Sequence, residues 1–236
     1  VGTKVAVLSC GGCVKIVTQI WRMLRLLFAM YNLQSTPENP EYVFDISDAC
    51  NRLDLYGLSR EKLFANTQNE MALKEMWLLP EIDLQILFKE PEGSVGHVYA
   101  THMLKLGFQP DFWRHSEIKN DITYVTVRMR QTHDLWHVMT GFAVDVEGEI
   151  GLQAFVLAQT GLPIAMILVS GALLRATFKS PLSLPKLMDA ISQGWQMGKV
   201  SRSVFSIRWE NVWSRNLIDL QQEFHIPALA PERLSS

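Results

Sequence analysis

Residues 133–149 read HDLWHVMTGFAVDVEGE. Two imidazoles four residues apart, an aspartate beside the first and a glutamate just past a glycine are side chains that hold divalent metals. On a helix turning ~100° per residue, His137 lies about 40° and Asp134 about 100° from His133. The three therefore share one arc of a single face. Histidines at i and i+4 are a standard means by which one helix chelates a transition metal. Gly141 suits the left-handed cap of that helix, FAVDVEG turns the chain, and Glu149 falls in the first turn of the next helix. An antiparallel partner helix brings that carboxylate back toward the histidines. His133, Asp134, His137 and Glu149 are thus the candidate metal ligands. Their hardness is borderline: zinc, iron and manganese fit, and magnesium fits if the oxygens dominate. The same residues also read as ordinary helix ends. Asp145, Glu147 and Glu149 favour a helix N-terminus through its dipole, and both histidines can be hydrogen-bonded surface groups. Pattern alone leaves both readings open.

Thr126, Met129, Arg130, Trp136 and Thr140 project within ~60° of the His133 direction. Arg130, one turn before His133, is placed to meet an anionic group beside a metal, or to be a surface arginine. From Glu149 the same face carries Leu152, Gln153, Val156 and Thr160. Met129, Arg130, Trp136, Thr140, Leu152, Gln153 and Val156 are therefore the candidate ligand-binding positions. A wall this apolar suits a ligand with a polar head and a greasy body, although a packed core carries the same stripe.

The elements that must position these residues are helical. The periodicity predicts helices over 14–33, 41–52, 60–76, 94–107, 121–141, 146–160, 163–178, 184–199 and 205–224. The connections STPENP, KEPEGS and SPLSLP are short and rich in turn formers. ITYVTV (122–127) has strand composition, but Asn120 and Asp121 offer a cap, no partner strand is evident, and RMRQTHDLWH follows with helical spacing. The segment is therefore read as helix. The uncharged run 150–174 is long enough to span a membrane, yet QTGLP interrupts it with helix-stop and helix-start chemistry. It is read as two buried helices. The whole chain, 1–236, is expected to form one all-α domain of eight or nine helices.

Composition narrows the function. Apolar residues make up 48%, charged residues 19%, and the net charge is −2, so no basic excess suggests nucleic acid. Three cysteines are too few for a disulfide framework and point to a reducing compartment. SCGGC (Cys10, Cys13) has redox or metal spacing without the second pair a four-cysteine site needs; a turn before the first helix is the plainer reading. In helix 14–33, Lys15, Arg22 and Arg25 with Val17, Trp21, Leu24 and Leu27 suit either an interfacial helix or a helix packed on the domain.

HDxxH followed after eleven residues by Glu resembles the signature of the coenzyme Q biosynthesis protein 4 family. PEGSVGHVY, YVTVRMRQTHD, QTGLP, and RWE followed by HIP resemble the family in the same order, so the likeness covers about residues 30–228. The resemblance implies an all-helical fold with an apolar ligand tunnel. It implies a divalent metal, zinc first, on His133, Asp134, His137 and Glu149. It also implies work in quinone biosynthesis: binding a polyprenyl lipid or prenylated quinone precursor, organising other quinone-biosynthesis enzymes, and a link to oxidative decarboxylation of the head group. Peripheral membrane contact goes with it; a homo-oligomer, expected as a dimer, is favoured separately by exposed apolar helices. A cytoplasmic location at the membrane is expected, or the matrix side of the mitochondrial inner membrane in a eukaryote. The chain's start is unlike a mitochondrial transit peptide, so a bacterial member is expected. A different class, a metal-dependent hydrolase or HD-type phosphohydrolase, also begins from HDxxH. It requires a further upstream histidine and a downstream aspartate, and nothing in the spacing of His97, His102, His115, Asp189 or Asp219 singles one out.

Overall fold

The computed structural model describes residues 11–35, 41–111 and 116–227. These residues are all-α as the periodicity predicts, and their only strand-like feature is an isolated bridge between Ser94 and Asn216. They fall into two compact units, one ending at Leu55 and one beginning at Tyr56.

In the first unit α1 (Gly11–Ser35) packs on α2 (Glu41–Leu53). Leu26 and Ala29 of α1 are buried, and the Arg22 guanidinium donates to the Arg52 carbonyl at 3.0 Å. Val17, Ile20, Trp21, Leu24, Leu27, Phe28 and Tyr31 are exposed and occupy an arc of about 120°. Of the SCGGC motif, Cys10 lies outside the described residues, and Gly11 to Cys13 open α1 in place of the predicted turn.

The second unit holds α3 (Gly57–Ser59), α4 (Glu70–Glu75), α5 (Leu84–Leu87), α6 (Val95–Leu106), α7 (Asp121–Thr140), α8 (Val146–Thr160), α9 (Pro163–Lys179), α10 (Leu184–Val200) and α11 (Leu217–Glu223). The strand-like ITYVTV lies inside α7. A capping box starts the helix: the Asn120 side chain accepts from the Thr123 N–H at 3.0 Å, and Thr123 Oγ1 accepts from the Asn120 N–H at 2.9 Å. That pair satisfies two otherwise orphaned donors. Tyr124, Val125 and Val127 are then buried in the core, so tertiary packing overrides β-propensity. The apolar run 150–174 divides where QTGLP predicts it, with Gly161 in the left-handed cap and Pro163 at the first turn of α9. α8 is central, buried along nearly its whole length and packed against both α9 and α10. Among the described residues no helix is long and apolar enough to cross a membrane.

Two predicted helices are not continuous. The 60–76 segment is a π-helical turn (Arg60–Phe64), a 3-10 turn (Thr67–Asn69) and then α4, which stops at Met76 in a left-handed conformation with φ 49°. Buried Asn69 caps nothing; its amide donates to the Leu63 carbonyl, which a regular helix would have used internally. The 205–224 segment is regular only over α11. Its first part makes the 3-10 turns Val204–Ser206 and Trp209–Asn211. The partner here is Arg128 of α7, fully buried, whose guanidinium donates to the carbonyls of Trp77, Phe205 and Ile207 and lies between the rings of Trp77 and Phe205. One side chain therefore supplies hydrogen-bond donors to carbonyls that irregular backbone leaves unpaired.

Candidate metal centre

His133 and His137 lie one turn apart near the end of α7, and Glu149 lies in the first turn of α8. The connection between them is tight. Gly141 takes φ 76° and donates to the His137 carbonyl at 2.7 Å, ending α7. The Asp145 side chain then caps α8 by accepting from the Gly148 N–H at 2.7 Å. A Cβ on Gly148 would stand 2.1 Å from the Ala143 carbonyl oxygen, so only glycine lets the chain double back this closely before Glu149.

The turn brings three ligand atoms together. His137 Nε2 stands 3.2 Å from His133 Nε2 and 3.1 Å from Glu149 Oε1, and Glu149 Oε2 is 3.5 Å from His133 Nε2. One ligand atom from each of the three residues falls within 4.8 Å of the others. Two nitrogens on one tetrahedral zinc, at ~2.0–2.1 Å each, stand about 3.3–3.4 Å apart, close to the observed separation. His137 is fully buried, and its Nδ1–H donates to the Phe142 carbonyl at 2.8 Å. That bond fixes the tautomer and turns the Nε2 lone pair inward, as an outer-sphere partner does for a ligand histidine. His137 Nε2 thus faces a carboxylate oxygen at hydrogen-bond distance, an arrangement satisfied by a metal ion or by a proton on the ring nitrogen. The donor set fits a divalent metal of borderline hardness.

The electrostatics agree. His133 and Glu149 each leave 36% of the side chain open to solvent. Burial opposes a charge on His133, but the adjacent Glu149 carboxylate outweighs it, with a further contribution from Asp134, and the pKa is pushed up to about 9. Burial likewise opposes ionisation of Glu149; His137 and His133 outweigh it and hold that carboxyl well below the usual range. Without metal, a proton on His133 fills the role of the cation. A metal must displace that proton, so its affinity rises with pH, about tenfold per unit, until pH passes about 9 and the gain ends. Calorimetric metal titrations at pH 7.5 in buffers of different ionisation enthalpy should show about one proton released per ion. Equal heats in all buffers would exclude this coupling.

The other predicted residues have separate places. Asp134 is half-buried and does not join the convergent three; its charge acts on Tyr99, His102 and His133. Arg130 donates to Ser116 Oγ at 2.9 Å. Met129 is half-buried, whereas Trp136, Thr140, Leu152, Gln153 and Val156 are buried. Trp136 Nε1 donates to Thr132 and its ring meets Phe155 edge-on at 5.7 Å; the Thr140 hydroxyl donates to the Trp136 carbonyl. A cavity of about 610 Å³, lined by Glu81, Asp83, Leu84, Leu104 and Gln109 among others, lies away from these residues.

His102 of α6 has no special standing in the sequence but borders the site. Its ring stacks on His137 at 6.4 Å, and its buried Nε2 has no hydrogen-bond partner. Burial, then the nearby His137, hold its pKa below the ordinary value. Tyr99 lies one turn before it, the only positional hint in GHVYATHM. His97 bonds and stacks on Phe88, Asp189 is exposed on α10, Asp219 lies in the first turn of α11, and His115 falls outside the described residues.

A family model for coenzyme Q (ubiquinone) biosynthesis protein Coq4 matches residues 17–230. The mitochondrial ubiquinone biosynthesis protein COQ4 of Laccaria bicolor is 32% identical over 148 residues, 61% of this chain and 49% of that protein. Its counterpart in Kluyveromyces lactis is 27% identical over 218 residues, 87% of this chain and 63% of that protein. The chain thus spans between about half and two thirds of the length of these relatives. A crystal structure from Nostoc punctiforme, titled for ubiquinone biosynthesis, superposes with a TM-score of 0.78 at 30% identity, covering 86% of this chain and 98% of that one.

Proposed function

Because the chain belongs to the Coq4 family of coenzyme Q (ubiquinone) biosynthesis proteins, we propose that it is a metal-dependent handler of a prenylated quinone precursor. His133, His137 and Glu149 would hold the ion, zinc first, with iron, manganese or magnesium as alternatives, and Asp134 would border the ligand set. The observation that carries this reading is the convergence of His133 Nε2, His137 Nε2 and the Glu149 carboxylate, with His137 Nδ1 held by the Phe142 carbonyl. When bound, the metal supplies Lewis acidity at the head group. The chain's own residues do the rest. Glu149 and His133 set the charge of the site, and Arg130, one turn before His133 on α7, is the candidate for an anionic group on the ligand. The apolar residues around Met129 exclude water from the ring. The reaction proposed at the head group is oxidative decarboxylation with dioxygen as the oxidant, in which the ring–carboxyl bond breaks to release CO₂, a hydroxyl from water takes its place and O₂ is reduced to H₂O₂, alongside a role in organising other quinone-biosynthesis enzymes.

Protein purified without chelator, analysed for metal and extracted for mass spectrometry, tests the reading. About one divalent ion per chain and a co-purified prenylated aromatic compound are expected. Conversion of an added prenylated hydroxybenzoate in air, with release of CO₂, would establish the enzymatic part. A protein that holds neither metal nor any prenyl compound would overturn the whole.

A further inference from the structure

α6 reaches the candidate metal centre from another part of the chain, and its first turn is firmly anchored. The Ser94 side chain caps it by accepting from the His97 N–H at 3.3 Å. The Val95 and Gly96 N–H groups donate to the carbonyls of Arg215 and Trp213 at 2.9 and 2.8 Å. One turn on, fully buried Tyr99 stacks on Trp213 at 5.9 Å. Val95, Gly96, Tyr99, Ala100 and Met103 are the buried residues of this helix. At ~100° per residue they span an arc of about 140°, and His102 stands at its edge, roughly 20° from Val95.

That rim position gives His102 an environment unlike that of its neighbours. The residue is half-buried, and its ring lies within 27° of parallel to the His137 ring, with centroids 6.4 Å apart. Its Nε2 is enclosed and has no hydrogen-bond partner. By contrast, His137 uses both nitrogens, one on the Phe142 carbonyl and one toward His133 and Glu149, and His133 Nε2 faces Glu149. His102 is not one of the three convergent ligands. A desolvated nitrogen that bonds to nothing costs stability, and native proteins leave few such groups without a bound molecule or a function to account for them. His102 Nε2 is thus an unused polar atom beside the ligand set.

The charges around that atom select what it can meet. Besides His137, the Asp134 carboxylate and the Lys105 ammonium act on His102, Asp134 more strongly. Asp134 is half-buried, whereas Lys105 is exposed and therefore screened by water and salt. The local field disfavours a second carboxylate at this nitrogen, but a neutral hydroxyl meets no such penalty. An imidazole nitrogen and a hydroxyl can each donate or accept, so the two match whichever tautomer the ring holds. Access is available as well. His133 and Glu149 each leave 36% of the side chain open, and a ring at the rim of its helix can turn toward an entering group while α6 stays in place.

We propose that His102 selects the ligand by its hydroxyl: Nε2 hydrogen-bonds the ring hydroxyl of an aromatic acid whose carboxylate lies at the metal centre. Resting on the reading that the ligand is a prenylated hydroxybenzoate, this makes His102 a specificity-determining residue. An analogue without the hydroxyl leaves the nitrogen desolvated and unpaired, which is how a site built to hydrogen-bond a hydroxyl rejects a ligand that lacks one.

Calorimetric titration of the zinc-loaded full chain tests the proposal, using 3-prenyl-4-hydroxybenzoate and 3-prenylbenzoate, which lacks the hydroxyl. The wild type should bind the hydroxy compound about tenfold more tightly. His102→Phe keeps a ring against His137 and removes the nitrogen. It should bind both compounds alike, at the weaker affinity, with wild-type zinc content and an unchanged thermal melt. His102→Gln, which returns an amide near the Nε2 position, should recover part of the preference. Nitrogen NMR of the His102 ring should respond to the hydroxy compound and not to the other. A wild type that binds the two compounds equally, or a His102→Phe protein that keeps the preference, overturns the proposal and leaves the functional reading standing. Loss of zinc from a folded His102→Phe protein also overturns it, because His102 would then be a metal ligand. A zinc-loaded wild type that binds neither compound sinks the functional reading and this proposal with it.

Discussion

A His137→Ala protein is expected to purify with less than about a tenth of the wild-type metal, its affinity reduced by ~100-fold or more. Loss of an outer-sphere partner alone typically weakens a site 10–100-fold, and this change removes a ligand together with the residue that Phe142 orients. The ring is also fully buried, so alanine leaves a cavity and some stability is lost for reasons unrelated to metal. Glu149→Gln separates the two effects. It keeps the shape of the side chain and removes the charge that faces both imidazoles. It should lower metal affinity strongly while leaving the fold near wild type, and it should let the His133 pKa fall back, because Glu149 is the main force raising it against burial. Elemental analysis reads the metal, and histidine titration by NMR in the metal-free protein reads the pKa. Wild-type metal content in both variants would remove the metal centre from consideration.

Gly194→Ala is expected to cost about 3 kcal/mol or more of folding stability, even though alanine is the better helix former by ~1 kcal/mol. A Cβ at this position would lie 1.9 Å from the Gly151 carbonyl oxygen and 2.9 Å from its carbon. Both obstacles are backbone of α8, so no rotamer change relieves the contact and the two helices must separate. Gly198 repeats the close approach one turn on, against the Phe155 carbonyl oxygen at 2.7 Å. Because α8 also carries Glu149, Gly194→Ala should weaken metal binding from a distance. Gly57→Ala is the comparison: nothing lies within 4 Å of the added carbon there, and its effect should be within ~0.5 kcal/mol. Denaturant titration of the three proteins gives the ordering. A Gly194→Ala midpoint equal to wild type would show that the α8–α10 contact yields easily.

The sequence makes some of this legible for identifiable reasons. His133 and His137 are local partners on one helix, so spacing suffices to put them together. Glu149 is legible too, because Gly141 and Gly148 both mark a tight return. ITYVTV is read correctly as helix because Asn120 and Asp121 offer a cap, no partner strand is evident and helical spacing follows; its composition says otherwise. The failures involve contacts and backbone conformations that helical spacing does not encode. Nothing near 60–76 announces that Asn69 takes the Leu63 carbonyl, or that Met76 ends the helix at positive φ. Nothing near 205–211 announces that Arg128 supplies its donors. A helical stripe looks the same whether it faces a ligand or a core, so the pattern of Trp136, Leu152 and Val156, which are buried, does not by itself mark a ligand wall. His102 reaches the site from another helix, which no local spacing encodes.

Arg128 has a bearing on how the chain comes to be made. Its three acceptors are spread widely: the Trp77 carbonyl precedes it by 51 positions, and those of Phe205 and Ile207 follow by 77 and 79. During synthesis α7 emerges long before Phe205 and Ile207 do. Until they arrive, the guanidinium must stay in water, for burying it with two partners missing would cost several kcal/mol. Closure of the core around α7 therefore waits for the 3-10 turns near the end of the second unit. A nascent or truncated chain stopping before Ile207 would hold its helices but keep that end of α7 open to solvent and to chaperones. The least regular stretch of the second unit is thus the one that commits the rest to its final packing.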